Sequence, residues 1–281
     1  MVMRSLLFVP GDRPDRMEKA LGLGADALIF DLEDAVAPSR KRDARMMVAE
    51  RLAAARNHRM MLIVRINPLD SAFAKEDLDA ILAHRPDAIM LPKAEGAASI
   101  EVLTAMHPEM PPIIPLAVET PAALFELGSL RRCAAKLAGI TWGAEDLATA
   151  LGARTNRDMQ GEFLAPYQLT RSLTLFAAAA AGVPAIDTVY PDFRDLEGLA
   201  TYAQAAARDG FSGMMAIHPS QIAIINTAFT PSEDDVTHAR AILDAFRANP
   251  DAGVLQVNGK MIDAPHVKQA ERLLGRIPRE D

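Results

Sequence analysis

Short apolar runs with β-strand character alternate along this chain with longer segments that have helical spacing. Strands that alternate with helices in this way predict right-handed βαβ units and a parallel sheet. The eight runs are Ser5–Val9, Ala27–Phe30, Met61–Ile66, Ala88–Leu91, Ile113–Val118, Leu137–Trp142, Ala185–Val189 and Gly213–Ile217.

The segments between these runs are rich in alanine, leucine and arginine, and they predict the helices. They include Lys41–Arg56, Lys75–His84, Ala97–Met106, Leu164–Ala181 and Asp195–Asp209. Eight strand–helix units in one chain predict an α/β fold that closes into a TIM (β/α)₈ barrel rather than an open doubly wound sheet. No Gly-x-Gly-x-x-Gly follows the first strand, which weakens a dinucleotide-binding interpretation.

The end of the chain exceeds what an eight-unit barrel needs. We therefore predict a catalytic barrel over residues 1–230 and a C-terminal extension over residues 231–281. In the extension, a helix over Asp234–Ala248 is followed by a turn, a short hairpin and a last helix. We expect this extension to act as a lid or as an arm that reaches a neighbouring subunit.

Bulk composition limits the class of protein. The net charge of -7 and the pI near 5.4 argue against a nucleic-acid partner. The single Cys133 cannot form an internal disulfide and suits a reducing compartment. The longest apolar stretch, Leu175–Ile186, contains Gly182 and Pro184 and is too short to span a bilayer. We expect a soluble cytoplasmic protein without a membrane partner.

Polar or ionisable residues follow nearly every predicted strand, at the point where the strand ends. In a barrel the carboxyl ends of the strands converge on one mouth, where active sites lie. The stretch "FDLEDAVAP", Phe30 to Pro38, places three carboxylates directly after an apolar run. Solvated loop charge explains one such strand end but not a whole set. The other strand-end groups are Asp12-Arg13, Arg65-Ile66-Asn67, Pro92-Lys93, Glu119-Thr120, Glu145-Asp146, Asp187 and His218-Pro219.

Glu119 and Asp146 are the best candidates for metal ligands. They lie about one βα unit apart, which predicts adjacent strands and equal height in the barrel. Two carboxylates, with the remaining positions left to water and substrate, are how Mg²⁺ is commonly held. Oxygen ligands also suit Mn²⁺. Either residue alone would be structural more often than functional, so the prediction depends on the pair.

Arg65 and Lys93 each follow an apolar run, so their cationic groups are predicted at the barrel mouth. An arginine there can stabilise charge on a substrate oxygen, or it can simply neutralise Asp31 or Glu33. Strand alternation stops at the loop, so the inward-facing carboxylate is not fixed. For Asp31 and Glu33 we expect contacts with metal-bound water or with Arg65.

Seven segments together carry a resemblance to a known family. In order they are "LFVPGDRPDRMEKA", "DALIFDLEDAVAP", "VRINPLDS", "IMLPKAE", "AVETPAAL", "GAEDLATALG" and "AIHPSQIAIINTAF" followed by "PSE". This order resembles the HpcH/HpaI aldolase and citrate lyase family, and most of all its group of citrate lyase beta subunits and malyl-CoA or citramalyl-CoA lyases. The likeness covers essentially the whole chain.

The resemblance implies a TIM barrel and Mg²⁺-dependent cleavage or formation of a carbon–carbon bond next to a thioester. It makes Glu119 and Asp146 the metal ligands and Arg65 the contact to a substrate oxygen. It makes Asp263 an acidic residue that enters the site from a neighbouring subunit, in a trimer or hexamer. Arg13 lies near the loop where a CoA thioester is implied to bind.

The leading interpretation is a lyase that converts a 3-hydroxyacyl-CoA, such as malyl-CoA or citramalyl-CoA, into an acyl-CoA and a 2-oxo acid. Alternatives are a citrate lyase beta subunit acting on citryl-acyl carrier protein, a malate-synthase-like enzyme or thioester hydrolase, and a catalytically inactive binding protein. One departure bears on the carrier. Many relatives have lysine after Gly213, where this chain has Met214, and this change could alter carrier or CoA binding.

Overall fold

The structure is a computed structural model that describes residues 3–54 and 60–277. The described chain forms two compact units, residues 3–226 and residues 227–277. The predicted boundary after residue 230 lies close to this division, which falls within a helix. Each unit is described by itself.

The first unit contains a seven-stranded parallel sheet, which confirms the predicted α/β class. Its strand order is β5-β4-β3-β2-β1-β7-β6. The register places Asp31 at the end of β2 directly beside Arg65 at the end of β3. The strands are β1 (Ser5–Pro10), β2 (Ala27–Asp31), β3 (Met61–Arg65), β4 (Ala88–Leu91), β5 (Ile113–Pro115), β6 (Ile186–Asp187) and β7 (Gly213–Ala216).

The segment 137–142, predicted as a strand, connects the two edges of this sheet through isolated bridges. Its Ile140 pairs in parallel with Ala185 before β6, and its Leu137 pairs with Ile113 of β5. The backbone N–H of Thr141 donates to the carbonyl of Pro115 at 3.1 Å. The sheet is therefore continuous from β6 back to β5, in a TIM-barrel-like arrangement.

Helices follow the strands, and their bounds agree with the predicted segments to within three residues where both are described. The predicted end at Arg56 lies outside the described residues. The helices are α1 (Pro14–Ala20), α2 (Lys41–Ala54), α3 (Ala74–Ile81), α4 (Gly96–Ala105), α5 (Pro121–Glu126), α6 (Ala144–Ala150), α7 (Ala165–Ala181), α8 (Leu196–Asp209), α9 (Ile222–Phe229), α10 (Glu233–Ala248) and α11 (Ala264–Leu274). In the described part of the chain no helix is long and apolar enough to cross a membrane.

The strands are apolar on both faces because both faces are covered. All five residues of β2 are buried, as expected of a parallel strand between an inner core and an outer layer of helices. Leu6, Ile29, Ile63, Met90 and Met215 contribute to one buried cluster. The apolar positions of the strands pack in the core, so the polar residues at the strand ends are available to form a site.

The second unit consists of α10, a hairpin and α11. The hairpin strands, β8 (Val254–Val257) and β9 (Lys260–Asp263), pair antiparallel across Asn258-Gly259. Both turn residues have positive φ, at 49° and 77°, as a two-residue hairpin of this kind requires. Ile242, Val257 and Ile262 belong to a separate buried cluster. The predicted role of this unit as a lid or arm stays a prediction.

Candidate active site

A cavity of about 740 Å³ lies at the carboxyl ends of the strands of the first unit. Its lining combines a charged part and an apolar part. The charged residues include Asp31, Asp34, Arg65, Glu119, Glu145 and Asp146. The apolar residues include Phe8, Leu116, Val189 and Met215. Several predicted strand-end groups therefore share one mouth, whereas Asp12-Arg13, Lys93 and Asp187 are not among the described lining residues.

Arg65 is bound on one side by Asp31. Its Nε and Nη2 atoms donate to the two carboxylate oxygens of Asp31, each at 2.7 Å, and both side chains are buried. This bidentate geometry fixes the guanidinium plane. Burial opposes the charge on Arg65, but Asp31, Glu33 and Asp34 outweigh it and raise the pKa of Arg65. Arg65 is thus neutralised by acidic neighbours, which is one of the two predicted alternatives. It also lines the cavity, as the other alternative, contact with a substrate oxygen, requires.

Glu33 links Arg65 to Lys93. One Glu33 oxygen lies 2.8 Å from Arg65 Nη1, and the other accepts a hydrogen bond from Lys93 Nζ at 2.8 Å. Burial raises the pKa of Glu33, although Arg65 and Lys93 oppose that shift. Neither Glu33 nor Lys93 is among the described cavity-lining residues, but Glu33 contacts Arg65 and Lys93 Nζ lies near Asp146, and both of these partners line the cavity.

Glu119 is held by the backbone of Lys93. Its Oε2 accepts the Lys93 N–H at 2.5 Å, and Lys93 adopts a left-handed conformation with φ of 50°. Few residues other than glycine adopt this conformation. Burial raises the pKa of Glu119, and the carboxylates of Asp146 and Glu33 add to the shift.

Asp146 lies in the first turn of α6, and Gly143 precedes that helix. A side chain at position 143 would meet Glu119, because a Cβ atom there would lie 2.8 Å from Glu119 Cγ. The absence of a side chain at Gly143 therefore allows Glu119 to lie against this turn. Lys93 Nζ is 3.9 Å from the Asp146 carboxylate.

These residues fit a divalent cation. Glu119 is buried, and its pKa is raised partly by the neighbouring charge of Asp146. A cation bound by both carboxylates would remove that repulsion, and oxygen donors are what Mg²⁺ prefers. Among the described residues no group of three or more His, Cys, Asp or Glu side chains could hold a metal. The remaining ligands would therefore be water or substrate oxygens.

Basic residues other than the predicted Arg13 line the cavity. Arg13 is exposed, lies 3.4 Å from Asp15 and is not among the described lining residues. Arg16 and Lys19 on α1 line the cavity instead. Their spacing of three residues places them on one helix face, so helical periodicity could have identified them.

Met214, which stands where many relatives have lysine, is fully buried on β7. Its neighbour Met215 lines the cavity, whereas Met214 is not among the described lining residues. Any effect of the missing lysine on thioester binding would therefore be indirect. His218 also lines the cavity and stacks on Phe193, with ring centroids 4.8 Å apart.

Asp263 lies in the second unit, at the end of β9. One of its carboxylate oxygens is 2.5 Å from Nδ1 of His266, and its backbone N–H donates to the same nitrogen at 3.2 Å. About two fifths of its side chain is exposed (38%). Its predicted role as an acid that serves a neighbouring subunit's site stays a prediction.

Fold and site together define the class: a TIM-barrel-like enzyme with paired carboxylates at the mouth, suited to Mg²⁺-dependent lyase chemistry. Residues 4–219 match the HpcH/HpaI aldolase/citrate lyase family. The chain belongs to this family, which confirms the resemblance found in the sequence.

Two curated relatives and one crystal structure illustrate the similarity. A (3S)-malyl-CoA thioesterase of Cereibacter sphaeroides is 35% identical over 97% of this chain and 94% of its own length. A citrate lyase subunit beta of Leuconostoc mesenteroides is 33% identical over 96% of this chain and 92% of its own length. The structure of CitE from Mycobacterium tuberculosis, in complex with magnesium, acetoacetate and coenzyme A, matches with a TM-score of 0.82 and 37% identity, over 98% of each chain.

Proposed function

We propose that this protein is a Mg²⁺-dependent lyase that cleaves, or forms, a 3-hydroxyacyl-CoA such as malyl-CoA or citramalyl-CoA. The products of cleavage are an acyl-CoA and a 2-oxo acid. The observation that carries the proposal is that Glu119, Asp146 and Arg65 line one cavity. A cation held by the two carboxylates and the Arg65 guanidinium would then face the same bound substrate.

Glu119 and Asp146 would hold the cation. A bound Mg²⁺, or Mn²⁺, would supply Lewis-acid polarisation of the 2-oxo acid's carbonyl. By fixing where that cation would lie, the two carboxylates would orient the keto fragment. The Lys93 N–H in turn fixes Glu119, so that the orientation does not depend on a mobile side chain.

Arg65 would stabilise the thioester oxygen. In cleavage the 3-hydroxyl group of the substrate loses its proton to solvent as it becomes the carbonyl of the 2-oxo acid. The bonding electron pair stays on the thioester fragment as an enolate, whose charge resides largely on the thioester oxygen. A guanidinium has five N–H bonds, and Asp31 takes two of those on Arg65. Donors therefore remain for Glu33 and for an oxygen in the cavity. A fixed donor facing developing negative charge is an effective source of catalysis.

Asp263 would transfer the proton at the enolate carbon. In the cleavage direction its carboxyl group gives a proton to that carbon, and in the synthetic direction its carboxylate removes one. We place it in the site of a neighbouring subunit, within a homotrimer or homohexamer. The capping contact with His266 supports this role because it limits the orientations of the carboxylate.

The remaining part of the cavity would hold the thioester arm. Phe8, Val189 and Met215 offer apolar contact to an acyl or pantetheine chain. Arg16 and Lys19 supply positive charge for phosphate groups at the edge. Arg13 lies just before α1, so we retain it only as an outer contribution to the same charge.

Thioester hydrolysis is a second candidate, because one relative at 35% identity is named a malyl-CoA thioesterase. A hydrolase of this kind would release free CoA and the intact hydroxy acid. A malate-synthase-like condensation would differ in combining this hydrolysis with carbon–carbon bond formation. A citrate lyase beta subunit, as another relative is named, would act on a citryl group on an acyl carrier protein and require partner subunits.

Product analysis tests these alternatives directly. The purified chain is incubated with malyl-CoA or citramalyl-CoA, with Mg²⁺ and with a chelator as control. Acyl-CoA with glyoxylate or pyruvate is the expected result, whereas free CoA with malate or citramalate would indicate hydrolysis. Turnover that begins only when carrier and partner subunits are added would indicate the citrate lyase subunit. No turnover and no Mg²⁺ or acyl-CoA binding by calorimetry would contradict an enzymatic function.

A further inference from the structure

Lys41, the first residue of α2, carries a buried ammonium group next to the candidate site. Its residue exposure is 6%. Nζ donates to the backbone carbonyls of Leu32 and Glu33, at 2.7 and 2.6 Å. In the described part of the chain no carboxylate oxygen lies within 4.0 Å of this group. A buried charge is costly unless it is satisfied, so its position between two carbonyls calls for an explanation.

The two carbonyls belong to the turn that presents the site's carboxylates. Asp31 accepts the backbone N–H groups of Glu33 and Ala35, at 2.9 and 3.1 Å. The same Asp31 oxygens bind Arg65. The turn Asp31–Ala35 is thus held through its Asp31 side chain by Arg65 and through two of its backbone carbonyls by Lys41.

Asn67 is a second buried residue that holds this turn, at the same Leu32 carbonyl that Lys41 contacts. Asn67 Nδ2 donates to the Leu32 carbonyl at 3.0 Å and to Asp77 at 2.6 Å. Asp77 is fully buried and also accepts Arg45 Nε at 2.6 Å. The Leu32 carbonyl therefore belongs to a buried hydrogen-bond network that fixes the backbone of the turn, and Lys41 is the side chain that contacts two consecutive carbonyls of this turn.

A cation that bonds to carbonyls leaves the carboxylates free. The Glu33 oxygens remain available to Arg65 and Lys93. Had Lys41 reached Glu33 itself, it would have competed with Arg65 for that carboxylate. Its charge still lies near an acidic turn, where a positive group offsets repulsion between the side chains.

We propose that Lys41 is a positioning residue, which fixes the Asp31–Ala35 turn and through it sets Glu33 and Asp31 against Arg65. The inference rests on the proposed role of Arg65 at the thioester oxygen. Because Lys41 touches neither Glu119 nor Asp146 within the described contacts, its loss should act on the Arg65 part of the site and leave the metal ligands in place.

The test uses Lys41→Met, which keeps side-chain length but removes the charge and the donors. Arg42→Met is the matched control, because Arg42 is the exposed neighbour on the same helix. We expect Lys41→Met to lower kcat roughly 10- to 100-fold, as loss of an outer supporting partner commonly does. The KM for the thioester and the half-saturating Mg²⁺ concentration should stay near wild type, since their binding groups are unchanged. Arg42→Met should leave all three values unchanged.

A spectroscopic arm tests positioning independently of turnover. With ¹⁵N-arginine labelling, the Arg65 Nε–H resonance is identified by its disappearance in Arg65→Lys. In Lys41→Met this resonance should shift and exchange faster with water, because the Asp31 acceptor is no longer held. In Arg42→Met it should not change. This arm separates the two ideas: a wild-type chain without lyase turnover would defeat the proposed function, while the resonance still decides the role of Lys41.

An unchanged kcat in folded Lys41→Met, or an unchanged Arg65 resonance, would overturn the inference. A parallel fall in kcat and in Mg²⁺ affinity would also overturn it, since the effect of Lys41 would then not be confined to the Arg65 part of the site. Should Lys41→Met lack a cooperative melting transition, Lys41→Gln replaces it. Gln keeps a hydrogen-bond donor but not the charge, and the same readings apply to it.

Discussion

The two sides of the cavity balance their charges differently. On the first side, Asp31 and Glu33 both contact Arg65, and Lys93 also contacts Glu33. On the second side, Glu119 receives a backbone N–H and Asp146 lies 3.9 Å from Lys93. The first side is internally paired, whereas the second concentrates negative charge with little compensation from the described side chains.

This difference indicates a division of labour. Groups that are already paired keep one geometry and can stabilise charge without rearranging, which is what an oxyanion-stabilising group requires. Carboxylates that repel each other gain most from a bound divalent cation. We therefore assign substrate-oxygen stabilisation to the Arg65 side and cation binding to the Glu119 side, and each prediction below tests that assignment.

The largest effect is expected for Glu119→Gln, which keeps the size of the side chain but removes a ligand charge. Mg²⁺ binding by calorimetry and lyase turnover should be lost together, by about 10³-fold or more in kcat, because several kcal/mol of cation-derived stabilisation disappear. Arg65 pairing should persist, so the melting temperature should not fall. Retained Mg²⁺ affinity would remove Glu119 from the cation side.

Asp263→Ala should affect neither side but still stop the reaction. We expect turnover to fall by about 10² to 10⁴-fold, the range for loss of a general acid or base. Mg²⁺ binding should remain near normal, because Asp263 lies outside the proposed ligand set. Steady-state kinetics and calorimetry on the same preparation check both points. Full activity would exclude Asp263 from the mechanism.

Asp31→Asn breaks the paired side. The guanidinium of Arg65 would then be buried without its bidentate partner, and loss of one partner from a buried pair costs roughly 3–5 kcal/mol of folding stability. Chemical denaturation should show this loss, and kcat should fall while Mg²⁺ affinity is retained. The control is Asp43→Asn, which removes an exposed pair with Arg40 at 3.0 Å and should change stability by less than about 1 kcal/mol. Equal effects of the two changes would contradict the pairing.

Gly143→Ala should have the smallest effect, on the cation side alone. The added Cβ would lie 2.8 Å from Glu119 Cγ and push that carboxylate away from its position. We expect Mg²⁺ affinity to weaken about tenfold, as for other changes that misorient a ligand. Gly128→Ala is the control, because nothing lies within 4 Å of a Cβ atom there. Similar Mg²⁺ affinity in both variants would contradict the close approach.

Much of this arrangement could be predicted from the sequence, because strand–helix alternation and polar strand ends are local signals. The sequence offered a contact of Arg65 with Asp31 or Glu33, but the bidentate pairing with Asp31 depends on the register between β2 and β3, which no local pattern reveals. The position of Lys41 could not be predicted from the sequence, because its partners are backbone carbonyls, which every residue type carries. The family resemblance implied Arg13, which lies near the loop where a thioester is expected, and this role stays a prediction. Arg16 and Lys19, on one face of α1, line the cavity, and helical periodicity is the signal that points to them.

The segment 137–142 also differs from the prediction, since it forms bridges rather than a regular strand. Its sequence has the apolar character of a strand, but only isolated bridges join it to its neighbours, through Leu137 and Thr141 on one side and Ile140 on the other. A pattern of hydrophobic residues reports burial and not the regularity of hydrogen bonding, so this distinction lay beyond the sequence.

The side chain of Asp187, at the end of β6, connects this strand to the segment 137–142. Trp142 Nε1 donates to Asp187 at 2.9 Å, and Arg171 Nε donates to the other oxygen of that carboxylate at 2.8 Å. Gly143 and the turn bearing Asp146 begin immediately after Trp142. Asp187 therefore holds the segment 137–142 against β6. Loss of its two hydrogen bonds would let the turn that carries Asp146 move away from Glu119.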